Sequence, residues 1–125
     1  QVNTLESLGI QVVVGEPSIN GASAEWDSSS RTMTISANTM QQGSDAVLQA
    51  MNHEAVHVAQ SCKAGGVGAA GTALGIGTSG QAAQAIQHGT YAGISDEEKQ
   101  MELEAYTLTN QAGAGIAAAV QHCSG

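Results

Sequence analysis

The sequence predicts a small α+β domain, a short N-terminal sheet or hairpin packed on two helices, and three observations carry that prediction. A β-branched run, Ile10-Gln-Val-Val-Val14, and an alternating segment, Thr32-Met-Thr-Ile-Ser36, both fall within the first forty residues. From Ser44 to Lys63 apolar residues recur at helical steps. A second capped helical stretch opens at Ser95. The 125 residues fit one domain. It divides into a β-rich part over 1–40, a helix over 44–63, a Gly/Ala-rich connector over 64–94, and a second helix with a C-terminal segment over 95–123.

The elements follow in order. Gly15-Glu-Pro17 ends the first run as a turn ends a buried strand. Ala24-Glu-Trp26 and Thr32-Met-Thr-Ile35 flank Asp27-Ser-Ser-Ser30, a turn-forming cluster, so they pair as a hairpin. In its second arm Met33 and Ile35 alternate with Thr32, Thr34 and Ser36, giving one face to the core and one to water. Ser44-Asp45 supplies a cap and a first-turn acid for the long helix. Its apolar face comprises Val47, Leu48, Met51, Ala55, Val58 and Cys62, with His53, His57 and Gln60 on an adjoining face. The connector contains Gly75-Ile-Gly77-Thr-Ser-Gly80, a GxGxxG by letter, but no preceding strand or βαβ unit makes it a nucleotide site. Gln81 to His88 reads as a short helix. Ser95-Asp-Glu-Glu98 is a capping box that starts the glutamate helix, which runs to about Gln111 and resumes over Ala117–Gln121.

Composition excludes several function classes. Three basic residues stand against 11 acidic ones, a formal net charge of −8, which leaves no basic patch for nucleic acid or an anionic membrane. No run approaches the roughly eighteen apolar residues that span a bilayer. Trp26, Tyr91 and Tyr106 are the aromatic residues, so alanine, valine and glycine must build the core by close backbone approach. The chain begins at Gln1, which reads as a processed form or a fragment. Its two cysteines, Cys62 and Cys123, permit one disulfide closing a loop of roughly sixty residues; that bond, once formed, would place the protein outside a reducing cytosol, in an extracytoplasmic or secreted setting.

His53-Glu-Ala-Val-His57 is HExxH inside a helical stretch. Residues at i and i+4 lie one turn apart on one face, so two imidazoles can share one ion. The intervening Glu54 points beside them, where it can hold a metal-activated water and take its proton. Zinc suits two neutral imidazoles with a third protein ligand. An HExxHxxGxxH continuation would need glycine and histidine where Gln60 and Lys63 stand, so the third ligand comes from farther along. The second helix offers Glu98, Glu102 and Glu104. Glu102 shares the face of Met101, Ala105, Leu108 and Ala112, Glu98 is explained by its capping role, and Glu104 groups with Glu97, Gln100, Thr107 and Gln111 on the polar side. A carboxylate on the inward face is costly unless paired or metal-bound, which selects Glu102. Tyr106, one turn on, can reach a ligating histidine or a substrate oxyanion.

His53-Glu-Ala-Val-His57 with Gln60, followed by Glu102-Leu-Glu-Ala-Tyr106, resembles the gluzincin zinc metallopeptidases, most of all their very small minigluzincin type. The resemblance implies His53, His57 and Glu102 as zinc ligands and Glu54 as general base. It also implies a small sheet whose edge strand aligns a peptide, and Thr32–Ser36 is the candidate for that strand. The family's Asp or Asn four residues after the third ligand is Tyr106 here. The expected function is zinc-dependent hydrolysis of a peptide or protein substrate. The alternative is a zincin-like structural or interaction protein in which zinc stabilises the fold, with an oligomer or a larger assembly as partner. His88, Tyr91 and His122 are the remaining candidates for contacts to a reaction intermediate.

Overall fold

The computed structural model describes residues 2–17, 22–75, 95–109, 111 and 113–123. Within them the chain forms a three-stranded sheet and five helices. Helix α1 (Val2–Ser7) leads into strand β1 (Gln11–Gly15), β2 (Ala24–Asp27) and β3 (Thr32–Ser36). Helices α2 (Ala37–Gln41), α3 (Ser44–Ala64), α4 (Asp96–Thr109) and α5 (Ala114–Cys123) complete it. The expected helix at Gln81–His88 and the residues His88 and Tyr91 lie outside the described residues, as does most of the GxGxxG segment.

The sheet order is β1-β3-β2, with β1 parallel and β2 antiparallel to β3. The hairpin expected from Asp27-Ser-Ser-Ser30 is present, with Asp27 Oδ1 accepting the Ser29 backbone N–H at 3.0 Å and its hydroxyl at 2.6 Å. Alternation in β3 puts Met33 and Ile35 into the core. Two expectations fail here. Thr32–Ser36 is the central strand, hydrogen-bonded on both sides, so it has no free edge for a peptide. The β1 run is an edge strand rather than a buried one, and Val14 is 59% exposed. The front of the chain is also not purely β. The α1 helix precedes the sheet and buries Leu5, while α2 starts directly from β3 because the Ser36 hydroxyl accepts the Thr39 N–H at 3.0 Å.

Helix α3 is 21 residues long, about 31 Å. Gly43, at φ +106°, takes the cap position expected for Ser44, a backbone conformation that an L side chain seldom adopts. Met51, Ala55 and Val58 join Leu5, Ile10, Met33, Ile35, Ala59, Ile116 and Ala119 in one core. Leu48, expected on the same face, is 43% exposed. The Trp26 indole N–H donates to the Ser61 hydroxyl at 3.1 Å and ties β2 to the end of α3.

Small residues let α5 lie close to α3. The Gly115 N–H donates to Asn52 Oδ1, and a Cβ at Gly115 would strike the Asn52 carbonyl oxygen. A disulfide joins Cys62 of α3 to Cys123 of α5, 61 residues apart. Beyond α3 the described part of the connector is anchored. The Thr72 N–H donates to the Gln60 carbonyl, the Ala73 N–H to Glu97, and Lys63 Nζ to the carbonyls of Ala73 and Leu74.

Two stability measurements probe this packing. Replacing both cysteines by serine should cost about 4 kcal/mol in urea unfolding, the loop entropy of a crosslink of this span. Gly115→Ala should cost at least about 1–3 kcal/mol, because the added methyl meets backbone rather than a flexible side chain. An unchanged midpoint for Gly115→Ala would refute the close approach.

Candidate metal centre

The site is built where α3 and α4 run past each other. His53 and His57 sit one turn apart on α3, and Glu102 faces them from α4. Glu102 Oε1 stands 3.1 Å from His57 Nε2 and 3.7 Å from His53 Nε2, and all three side chains are partly buried. Glu54 is buried beside them, and its Oε2 has no hydrogen-bond partner among the described residues. Donor atoms of His53, Glu54 and His57 all lie within 4.8 Å of one another, a group able to hold a metal ion. The Tyr106 ring meets the His53 ring edge to face at 4.7 Å between centroids. His122, in the last turn of α5, is not part of the group.

Sequence reasoning missed the support behind these residues. Gln60 is wholly buried, and its Oε1 lies 2.8 Å from His57 Nδ1. Glu104, expected on the polar side of its helix, is also wholly buried and takes hydrogen bonds from Gln60, Leu74 and Gly75. The same three- and four-residue steps that relate Met101 to Leu108 pass through Glu104, and that was the signal available. Asn52, just before His53, donates to the carbonyls of Leu108 at 2.6 Å and Gln111 at 3.1 Å, and so closes the end of α4.

The charges are strongly coupled. Burial pushes the Glu54 carboxyl above its usual range; the neighbouring His57 and His53 pull it back, and Glu102 and Glu25 push with the burial. In the metal-free chain burial works against a charged His57. The hydrogen bond to Glu102 and the Glu54 charge outweigh it, and the pKa rises from 6.5 to about 9. Burial likewise works against a charged Glu102, but hydrogen bonds from His53 and His57 bring it from 4.5 down to about 2.

Stability follows from these directions. The raised His57 contributes fully below 6.5 and loses its contribution as the pH climbs through about 9. The depressed Glu102 contributes fully above 4.5 and loses its share as the pH falls through about 2. In chelator, thermal melts should therefore show the pair's full contribution between pH 4.5 and 6.5 and a decline toward pH 9. Glu102→Gln should flatten that decline; an equal slope in the variant would show that the pair is not its source.

Comparison with known proteins adds a family and no further relative. No curated protein and no solved structure matches the chain. The domain of unknown function DUF8637 matches residues 27–124, from the last residue of β2 through the whole of α5, and so takes in His53, Glu54, His57 and Glu102. Since that match spans most of its length, the chain belongs to the DUF8637 family.

Proposed function

We propose that the protein is a gluzincin-like, zinc-dependent peptidase with His53, His57 and Glu102 as ligands and Glu54 as general base. The observation that carries this reading is the convergence of two imidazole nitrogens on one carboxylate oxygen, beside a buried carboxylate with an unpartnered oxygen. Donors about 2.0–2.1 Å from a tetrahedral zinc stand about 3.4 Å apart. The Glu102–His57 and Glu102–His53 separations of 3.1 and 3.7 Å bracket that value, which supports Glu102 as a ligand beside the donors of His53, Glu54 and His57.

When bound, zinc would acidify a water and polarise a peptide carbonyl. Glu54 takes the proton of the attacking water and returns it to the leaving amine. Its burial favours this role, because desolvation raises the proton affinity of a carboxylate that must accept a proton. The outer edge of β2 is the place for an extended substrate. No strand pairs with it among the described residues, and Glu25 on it is near enough to act on Glu54. Tyr106, edge to face with His53, packs against that ring and borders the site. The disulfide agrees with an extracytoplasmic protein, and no described helix is long and apolar enough to cross a membrane. A role for the ion as mere fold support fits less well, because Asn52 and Gln60 already join α3 to α4.

The test combines metal content with activity. The native chain should bind about one zinc, and Glu102→Ala should weaken binding by more than about 100-fold. Glu54→Gln should keep the metal and lower the cleavage rate of a mixed peptide library by at least about 100-fold. A native chain that takes up no divalent ion on dialysis would end this reading.

A further inference from the structure

We propose that Gln60 and Glu104 are positioning residues that fix the tautomer and ring angle of His57, so that its Nε2 faces the metal centre. The inference deepens the reading of His57 as a ligand and rests on it.

The argument begins with the orientation of one amide. The Gln60 Nε2 group donates to the Met101 carbonyl and to Glu104 Oε1, both at 2.9 Å. Turning the amide over would set its oxygen against two other oxygens and leave both acceptors without that donor. Its Oε1 is thereby held toward His57 Nδ1, 2.8 Å away. An acceptor at that position requires the proton on Nδ1. With no metal present Nε2 carries a proton too and donates it to Glu102; were that proton to give way to an ion, the ring, keeping its Nδ1–H, would offer the Nε2 lone pair.

Glu104 makes the orientation of Gln60 compulsory, and it is itself held. Its Oε1 also accepts the Leu74 N–H at 2.8 Å, and its Oε2 accepts the Gly75 N–H at 2.7 Å. Gln60 and Glu104 are both wholly buried, where an acid and an amide are costly unless each is hydrogen-bonded. An apolar pair would join two helices at lower cost. Only an amide with its NH2 group committed elsewhere presents a fixed acceptor to the imidazole. The backbone of Leu74 and Gly75 is therefore connected to the ligand His57 through two successive side chains, Glu104 and Gln60.

The test uses the full chain with Gln60→Met, which keeps the volume and removes the hydrogen bonds, and Glu104→Gln, which keeps the shape. Zinc affinity is read by chelator competition, and the His57 tautomer by long-range 1H–15N spectra. The zinc-loaded wild type should show a single tautomer with the proton on Nδ1, and the metal-free wild type an Nδ1–H signal shifted by its bond to Gln60 Oε1. Gln60→Met should lose that single pattern and bind zinc about 10–100-fold more weakly. Glu104→Gln should move both readouts in the same direction by a smaller factor, and it carries the test alone if Gln60→Met does not fold. Variants that melt lower yet keep wild-type affinity and tautomer would overturn the proposal, leaving a clamp between helices. If the wild type takes no zinc, the peptidase reading falls. The metal-free spectra then still decide the role of Gln60, since an unchanged Nδ1–H signal in Gln60→Met refutes it.

Discussion

Two buried side-chain amides on α3, Asn52 and Gln60, set the height at which α4 lies against it, and the candidate metal site comes together only at that height. Gln60 holds Met101 near the start of α4, and Asn52 holds Leu108 and Gln111 at its end. Between these fixed points His57 meets Glu102 and His53 meets Tyr106. The order of contacts is that of two antiparallel helices. A slip of one residue along α4 would turn Glu102 by about 100° away from both imidazoles. Apolar packing alone tolerates such slips when the facing residues are alanine and methionine, whereas a donor matched to a carbonyl does not.

The rest of the fold supports that pair from behind. With no phenylalanine available, the core gains its burial from methionine, isoleucine, valine and alanine, and it needs short distances between backbones. Gly115 allows the close approach of α5, and the bond between Cys62 and Cys123 fixes the far end of the same contact. Asn52 takes part in both relationships, since its oxygen receives the Gly115 N–H while its NH2 group closes α4. One side chain beside a candidate ligand thus joins three helices.

The parts of this arrangement written in local spacing were legible in the sequence. His53 and His57 stand together because they are four residues apart on a helix, and Met33 and Ile35 are buried because strands alternate. The Asp27 turn and the Ser95 cap follow from residue chemistry, and the Ser95 hydroxyl does accept the Glu98 N–H at 3.1 Å. Features set by distant partners were not legible. Whether Thr32–Ser36 is an edge or a centre depends on β1 joining its far side, which no property of the strand itself records. Glu104 lies at the seam between the two faces of its helix. Its burial is decided by Gln60 and by the backbone of Leu74 and Gly75, far away in sequence. The short helices α1 and α2 have five or six residues and draw their stability from contacts rather than propensity.

The carboxylate oxygen of Glu102 that both imidazoles approach has a consequence for the protein's history in the cell. Where zinc fingers fold only around their ion, these residues already hold one another by charge and hydrogen bonding. On the proposed reading, chain assembly would not wait for an ion, since Asn52 and Gln60 already join α3 to α4. An ion entering the site would, on the same reading, take the place of the proton shared between His57 and Glu102.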